Sequence, residues 1–209
     1  MVVSSRDEKI VREIGRWRGC LGRQIKVIGG FTSTRATDRR LKKLIEAKFL
    51  TRKKFIYGLA GIYQVTRLAQ RTFGLDTFLG TVRLDQAPHD MAVVDTYLFA
   101  KGKLNLPAEA FISEKELRHE QGFITRGHVP DFLFKCNNEL YCVEVELSQK
   151  GHERLEKNVA DNYVKYKGQK WIVPKSNNRV IIWLKELNDK YPNIEIVDKG
   201  VIDEYIRDT

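Results

Sequence analysis

The chain has 209 residues, with 37 Lys and Arg, 27 Asp and Glu, and a formal net charge of +10. This length allows one medium domain or two small ones, and 42% hydrophobic residues are typical of a globular chain with a core. No apolar run is long enough to cross a bilayer, the first residues lack a signal peptide's apolar core, and the three Cys have no framework spacing. We therefore expect a cytoplasmic protein without a membrane partner or a disulfide scaffold.

The charge is unevenly distributed along the sequence. Residues 1–75 hold 18 Lys and Arg against 5 Asp and Glu, a net charge of +13, whereas residues 76–209 carry −3. Such asymmetry is typical of a protein that binds a polyanion, most often nucleic acid. A merely solvated basic surface is the alternative.

Three helices and a hairpin are predicted in the basic third. Apolar spacing predicts helices at 7–17, 21–28 and 34–48, and two β-rich runs around Gly58 and Gly61 predict a hairpin. Another helix is expected at about 66–73. This order resembles the winged helix-turn-helix family. The resemblance implies that the third helix enters a DNA major groove while the hairpin contacts phosphates.

The candidate DNA-binding residues are cations of the third helix and the hairpin. Along the helix, Arg35, Arg39 and Lys42 recur at helical spacing on the side opposite the apolar residues. An ordinary solvated helix face is the alternative interpretation. The full set is Arg35, Arg39, Arg40, Lys42, Lys43, Arg52, Lys53 and Lys54.

The rest of the chain predicts an α/β domain, so the protein is expected to be α+β overall. We predict a linker at 76–88 and a second domain at 89–209. Within that domain we expect helices at 89–99, at 148–167 and near the end of the chain. Strands are predicted at 131–136, 139–147, 179–184 and 194–197, which together suggest a mixed central sheet.

The predicted hairpin at 131–147 gathers carboxylates. Asn137 and Asn138 suit the left-handed conformations of a two-residue turn, which fixes the strand register. Alternation along the strands then places Asp131, Glu144 and Glu146 on one face. Because close carboxylates repel one another, a hard divalent cation such as Mg²⁺ or Mn²⁺ is the simplest partner. Unpaired acids on an exposed sheet face are the alternative.

Pro130-Asp131 followed across the hairpin by Glu144-Val145-Glu146 resembles the PD-(D/E)XK nuclease superfamily. The resemblance implies a restriction-endonuclease-like fold in which acids bind metal and a lysine lies near the attacking water. Glu146 stands where the family has that lysine, so Lys150, four residues later, is the candidate cation. This departure makes a degenerate, non-catalytic domain the alternative.

The run Glu144–Lys150 and the later RLEKNVADNYVKYK, after His89-Asp90, resemble replication-relaxation proteins and MOBC-type mobilisation relaxases. The resemblance implies a protein of a plasmid or integrative element that acts on its DNA, with replication or mobilisation proteins as partners. The pair His119-Glu120 is similar to the His-Glu motif of that relaxase group. The sequence is compatible with a homodimer.

The leading hypothesis is a metal-dependent endonuclease that nicks or cleaves double-stranded DNA. Asp131, Glu144 and Glu146 would bind the metal, and Lys150 would orient water or stabilise charge on the phosphate. Auxiliary acid–base roles are considered for His89, His119 and Glu120, although a lone His is more often structural.

Two non-enzymatic alternatives remain open. One is a winged-helix DNA-binding regulator or replication accessory, and the other is a toxin–antitoxin-type repressor with a partner-binding second domain. Tyr163 and Tyr166 share helical spacing with Leu155 and Val159 and are interpreted as packing residues rather than nucleophiles.

Overall fold

The computed structural model describes residues 2–54, 60–75, 82–120, 122, 127–148 and 151–209. These residues form a mixed α+β structure with two sheets. They divide into two compact units, which we call unit 1 (Met1–Leu98) and unit 2 (Phe99–Thr209). None of the described helices combines the length and the apolar composition that crossing a bilayer requires.

Unit 1 consists of helices around a small antiparallel sheet with strand order β1-β3-β2. Its elements are α1 (Ser5–Arg16), β1 (Cys20–Leu21), α2 (Gly22–Gly29), α3 (Thr34–Glu46), β2 (Leu50–Lys53), β3 (Ile62–Val65), α4 (Arg67–Thr72) and the first part of α5 (Ala87–Leu104). The helices predicted at 7–17, 21–28, 34–48 and 66–73 and the antiparallel pair after the third are confirmed. The loop of that pair, residues 55–59, lies outside the described residues.

Local sequence explains where the helices of unit 1 begin and end. Ser4 and Asp7 form a capping box at the start of α1, and the Ser33 hydroxyl accepts a hydrogen bond from the Ala36 N–H at the start of α3. Gly30, in the left-handed conformation, ends α2. The inner faces of these helices bury apolar side chains, among them Ile10, Ile14, Ile25, Leu41 and Leu44.

Unit 1 continues past the linker predicted at 76–88. Of that range, residues 76–81 lie outside the described residues, while Val82 and Ala87 pack in one cluster with Ile62. Asp95 on α5 accepts hydrogen bonds from Arg23 at 2.5 and 2.7 Å. Apolar packing and this partly buried ion pair attach residues 82–98 to unit 1.

Unit 2 contains a five-stranded sheet with order β4-β5-β6-β7-β8, antiparallel from β4 to β6 and parallel from β6 to β8. The mixed central sheet is therefore confirmed. After the end of α5, the elements are a 3₁₀ turn (Ala108–Ala110), β4 (Phe111–Ser113), α6 (Glu114–Glu120), β5 (Phe132–Cys136), β6 (Glu139–Val145), α7 (His152–Lys165), β7 (Gly168–Val173), α8 (Asn178–Lys190), β8 (Ile194–Asp198) and α9 (Lys199–Asp208).

One predicted strand of unit 2 is wrong. Residues 179–184 belong to α8, and the neighbouring strand is β7, which the sequence does not predict. The physical reason is topological: β7 and β8 are parallel, and parallel neighbours need a crossover element between them. Val180, Leu184 and Leu187 form the buried stripe of that crossover helix.

The helices α7 and α8 cover one face of the sheet. Leu155 and Val159 of α7 pack with Trp171 of β7 and with Val180 and Leu184 of α8. Next to this cluster lies a second one, formed by Leu117, Val129, Leu133 and Cys142. Both clusters lie on the face that carries Glu144, because the Cys142 and Glu144 side chains point to the same side of β6. The acids of the hairpin therefore lie under a helix layer.

Candidate functional site

The turn between β5 and β6 sets the position of the candidate carboxylates. Asn137 and Asn138 have φ angles of 50° and 67°, as a two-residue hairpin turn of this kind requires. The predicted register is confirmed, since Cys136 pairs with Glu139 and Phe132 pairs with Val143. The ladder begins at Phe132, so Asp131 lies just before β5.

Asp131 and Glu144 converge at this end of the hairpin. The Asp131 Oδ2 atom accepts a hydrogen bond of 2.7 Å from the backbone N–H of Val145. Glu144, the residue before Val145, is 4% exposed. Burial and, after it, the negative charge of Asp131 raise the pKa of Glu144. The structure thus brings together two of the three predicted metal ligands.

Two further side chains hold the Glu144 carboxylate. Its Oε1 atom lies 2.5 Å from Nε2 of His128 and accepts a hydrogen bond of 2.9 Å from Nδ2 of Asn162. His128 comes from the loop before β5 and is partly buried, whereas Asn162 comes from α7 and is 1% exposed. The loop and the covering helix therefore fix the orientation of Glu144 from two sides.

The electrostatic environment disfavours the charged form of Glu144. Burial is the largest influence and raises the pKa of Glu144, while the hydrogen bonds from His128 and Asn162 act in the opposite direction. Together with the charge of Asp131, burial prevails, and the pKa lies above its ordinary value of 4.5. An added positive charge at this position would favour the ionised carboxylate.

The nearby Cys142 and Tyr166 side chains are packing groups. Burial raises the pKa of the Cys142 thiol well above its usual range and raises the pKa of Tyr166 to about 12. The charge of Glu144 acts on both groups in the same direction. Both side chains are therefore neutral near pH 7, and Tyr166 packs against the cluster that contains Cys142.

Glu146 lies beyond the end of β6 and is 1% exposed. Its backbone N–H donates to Ile172 O at 2.9 Å. Its Oε1 atom accepts hydrogen bonds of 3.3 Å from both the N–H and the hydroxyl of Ser148. Ser148 therefore binds Glu146 instead of capping α7, which begins at His152 after Gly151. Lys150 lies outside the described residues.

The three auxiliary candidates belong to other elements of the chain. His89 is in the first turn of α5 in unit 1, with its Nδ1 atom 3.9 Å from Oδ1 of Asp90. His119 and Glu120 are exposed at the end of α6 in unit 2. In the described parts of the chain, the hydrogen bonds to Glu144 come from His128 and Asn162 rather than from these residues.

The donor chemistry of Asp131 and Glu144 fits a divalent cation of the Mg²⁺ or Mn²⁺ type. Such ions take hard oxygen ligands and are commonly held by one or two carboxylates, with water completing the shell. Across the described ranges there is no group of three or more His, Cys, Asp or Glu side chains that could hold a metal. The residues that fit such a cation are therefore two carboxylates, Asp131 and Glu144.

The cations of α3 lie mostly on its outer face. Thr37, Leu41 and Leu44 are buried against unit 1, whereas the opposite face is exposed. The exposed cations of this face are Arg35, Arg39, Lys42 and Lys43.

Arg40 differs from its neighbours, because its guanidinium is bound within unit 1. Its Nε donates to Oδ1 of the fully buried Asp7 at 2.5 Å, and a second nitrogen donates to Oδ2 of the same carboxylate. Burial alone would raise the pKa of Asp7, but the hydrogen bonds from Arg40 and Ser4 lower it below its ordinary value of 3.8. Arg40 thus joins α3 to α1.

The strand β2 carries the other candidate cations. Arg52, Lys53 and Lys54 are exposed at the end of the chain segment that pairs with β3. The Arg52 guanidinium lies over the Tyr63 ring, 5.6 Å from its centroid. That contact holds the side chain at the surface of the sheet.

Sequence reasoning missed His128 and Asn162. His128 lies in a loop without periodic pattern, so nothing local links it to Glu144. Asn162 gave a weak signal, because Leu155, Asn158, Val159 and Asn162 recur at i, i+3, i+4 and i+7 and are all buried. An Asn inside an apolar stripe indicates a buried polar partner.

Comparison with known protein families, with curated proteins and with solved structures finds no match. The functional argument therefore depends on the residues of the two units themselves.

Proposed function

We propose that the protein binds double-stranded DNA through unit 1 and that unit 2 is a metal-dependent nuclease domain that nicks or cleaves a phosphodiester. The convergence of Asp131 and Glu144 is the observation that carries the proposal. Ionised carboxylates are costly to bury, and a core needs no second acid beside the first. A site for a divalent cation accounts for both acids and for the polar groups that orient them.

The order of elements in unit 2 supports a PD-(D/E)XK-like domain. Three antiparallel strands are followed by a helix and a parallel strand, and the acids lie at the start of β5 and at the end of β6. The carboxyl ends of parallel strands are frequent ligand sites in α/β sheets. In this proposal Glu146 and Lys150 take the remaining positions of the motif, with Glu146 as an outer ligand.

Unit 1 supports the DNA-binding half of the proposal as a winged helix-turn-helix. Arg35, Arg39 and Lys42 on the exposed face of α3 would enter the major groove, with Lys43 beside them. Arg52 and Lys53 of β2, and Lys54 directly after it, would contact phosphates. Arg40 acts in this proposal by fixing α3 through Asp7.

The residues of unit 2 have separable roles in the proposed reaction. Asp131 and Glu144 would hold Mg²⁺ or Mn²⁺, which when bound polarises the phosphate and lowers the pKa of an attacking water. His128 and Asn162 orient Glu144, and the Val145 N–H orients Asp131. Because these three donors are supplied by a loop, a helix and a strand, the carboxylates are preorganised before DNA arrives.

The biological setting that we propose follows the resemblance to replication-relaxation proteins. A nick placed by such a protein would start replication or mobilisation of a plasmid or integrative element. The basic unit would hold the element's DNA while the acidic site acts on it.

Relaxation of supercoiled plasmid in Mg²⁺ or Mn²⁺ tests the nuclease proposal. We expect the wild-type protein to relax the plasmid and Asp131→Asn and Glu144→Gln to lose at least about 100-fold in rate, since each removes a charge that would hold the metal. Glu139→Gln, an exposed carboxylate on the same hairpin, is the matched control and should retain activity. Absence of relaxation with both metals, or equal relaxation by all variants, would refute the nuclease.

A non-catalytic DNA-binding regulator or replication accessory is the second candidate function. The observation that favours it is Glu146, which is buried at the position where the nuclease superfamily has a lysine. This candidate predicts that the wild type binds DNA without relaxing it in either metal. It also predicts that Asp131→Asn and Glu144→Gln bind DNA as tightly as the wild type in a gel-shift assay.

A further inference from the structure

The turns that follow β6 and β7 are linked by a single side chain, Asn177. Its Nδ2 atom donates a hydrogen bond of 3.1 Å to the backbone oxygen of Ser148, in the turn after β6. Its own backbone N–H donates to Pro174 O at 2.8 Å, in the turn after β7. Ser148 in turn donates to the Glu146 carboxylate. Asn177 and Glu146 therefore share Ser148 at the carboxyl ends of two parallel strands.

Among the described residues, the buried amide oxygen of Asn177 has no hydrogen-bond partner. The residue is 6% exposed, and its Oδ1 atom accepts no hydrogen bond within the described part of the chain. Although Asn177 precedes the first residue of α8, its side chain makes no capping hydrogen bond to that helix. An unsatisfied buried acceptor destabilises the fold, because it has lost its hydrogen bonds to water without replacement. Native proteins usually explain such an atom by a water molecule or an ion.

The chemistry around this oxygen points to a cation. The Glu146 carboxylate, which is linked to Asn177 through Ser148, is 1% exposed, and Glu144 lies two residues before it in the chain. Asn side-chain oxygens and carboxylates are hard donors of the kind that Mg²⁺ and Mn²⁺ prefer. An anion is disfavoured here, because a buried acceptor and a buried carboxylate would repel it.

We propose that Asn177 Oδ1 is a ligand of the divalent cation, directly or through one coordinated water, at the Glu146 end of the candidate site. The inference rests on the proposed function, because the cation is the one that Asp131 and Glu144 would hold. It adds a ligand from the turn between β7 and α8, a segment outside the acidic motif. The site would then draw oxygen donors from the β5–β6 hairpin and from the β7–α8 turn.

Mn²⁺ binding to the full-length chain, measured by calorimetric titration, tests this assignment without relying on activity. We expect Asn177→Ala to weaken Mn²⁺ binding by about 10–100-fold, the range seen when a supporting group of a metal site is removed. Asn177→Asp should restore the affinity to the wild-type level or better, because Asp keeps an oxygen at this position and adds charge.

The Asp variant separates a ligand from a structural link. If Asn177 served only to bind Ser148 O through Nδ2, Asp would be as damaging as Ala, because Asp lacks that donor. Equal loss of Mn²⁺ affinity in both variants would therefore overturn the assignment, and so would unchanged affinity in both. Circular dichroism and thermal melting without metal check the fold, and Asn177→Ser replaces Asn177→Ala if the latter unfolds.

The proposed function and this inference fail in different ways. Unchanged Mn²⁺ binding by Asn177→Ala, together with lost binding by Asp131→Asn and Glu144→Gln, would leave the metal-dependent nuclease in place and remove Asn177 from its site. If the wild-type protein does not bind Mn²⁺, both the metal-dependent nuclease and the assignment of Asn177 are refuted.

Discussion

Two buried carboxylates, Asp7 in unit 1 and Glu144 in unit 2, have opposite electrostatic environments. Asp7 is paired with the guanidinium of Arg40, and the hydrogen bonds outweigh burial, so its pKa is lowered. Glu144 has His128 and Asn162 as partners and Asp131 as a charged neighbour, and its pKa is raised. The charge of Asp7 is balanced by Arg40. At Glu144, burial and the charge of Asp131 outweigh the hydrogen bonds that favour the ionised carboxylate.

Under the proposed function, this difference separates a structural carboxylate from one that would bind a metal. An Arg is always protonated, so the Asp7–Arg40 pair is complete in the folded chain and needs no ligand. A cation would favour the ionised form of Glu144, and carboxylates with a shifted pKa are frequent at functional sites. The cations of α3 show the same contrast. The Arg40 guanidinium is bound to Asp7, whereas Arg39 lies on the exposed face of the helix.

The largest expected effect comes from breaking the structural pair. Arg40→Ala should lower the free energy of unfolding by about 3 kcal/mol, because it leaves the Asp7 carboxylate buried and unpaired. Urea denaturation measures this change. Arg39→Ala, on the exposed face one residue earlier, should alter stability by less than about 0.5 kcal/mol. Similar decreases in the free energy of unfolding of the two variants would show that the Asp7–Arg40 ion pair does not stabilise the fold.

The next effect concerns DNA binding by the exposed cations. The double variant Arg35→Ala/Arg39→Ala should weaken binding about tenfold or more and reduce the slope of log affinity against log salt by up to about 2, because two cations are removed from the DNA-facing helix. Gel-shift titrations at several salt concentrations measure both quantities. Lys135→Ala, an exposed cation on β5, is the control for net charge. An unchanged slope would contradict the assignment of α3.

A smaller effect on stability is expected from neutralising the Glu144 carboxylate. Glu144→Gln keeps the shape of the side chain and removes a charge that burial disfavours, so the free energy of unfolding near pH 7 should rise by on the order of 1 kcal/mol. The same variant should lack plasmid relaxation. If Glu144→Gln is less stable than the wild type, both measured without metal, the interaction of Glu144 with His128 outweighs the cost of burying its charge.

The smallest effect is the acid dependence of the Asp7 pair. Because the pKa of Asp7 is lowered in the folded state, its contribution to stability is present above the ordinary value of 3.8 and is lost as the pH falls through the folded value. Asp7→Asn should therefore be less stable than the wild type at neutral pH, and the difference should narrow below about pH 4. Denaturant unfolding of both proteins at several pH values measures this difference in stability. A difference that does not change with pH would refute the contribution of the lowered Asp7 pKa.

Local patterns in the sequence were sufficient for the parts of the fold that depend on neighbouring residues. The capped helices of unit 1 and the turn at Asn137-Asn138 follow from residue types within a few positions. The register of β5 and β6 then places Asp131 and Glu144 at the same end of the hairpin, as predicted. Burial of Glu144 under α7 depends on distant segments and has no such local signal.

The errors of prediction also arise from contacts between distant segments of the chain. Residues 179–184 are rich in β-branched and aromatic side chains, which favour a strand locally, yet the parallel arrangement of β7 and β8 requires a helix there. Likewise, His128 and Asn162 reach Glu144 across 16 and 18 positions of the chain. Such contacts are consequences of the tertiary fold, and a single sequence does not encode them as a pattern.

The turn at Asn137-Asn138 also has a consequence for the order of folding. Hairpins with tight turns form in about 1–10 μs, whereas the parallel pairing of β6 with β7 must wait for closure of the segment that contains α7. We expect the relative position of Asp131 and Glu144 to be set in this early step. A slip of one residue in the register of β5 and β6 at this step would turn the Glu144 side chain to the opposite face of the sheet, away from His128 and Asn162.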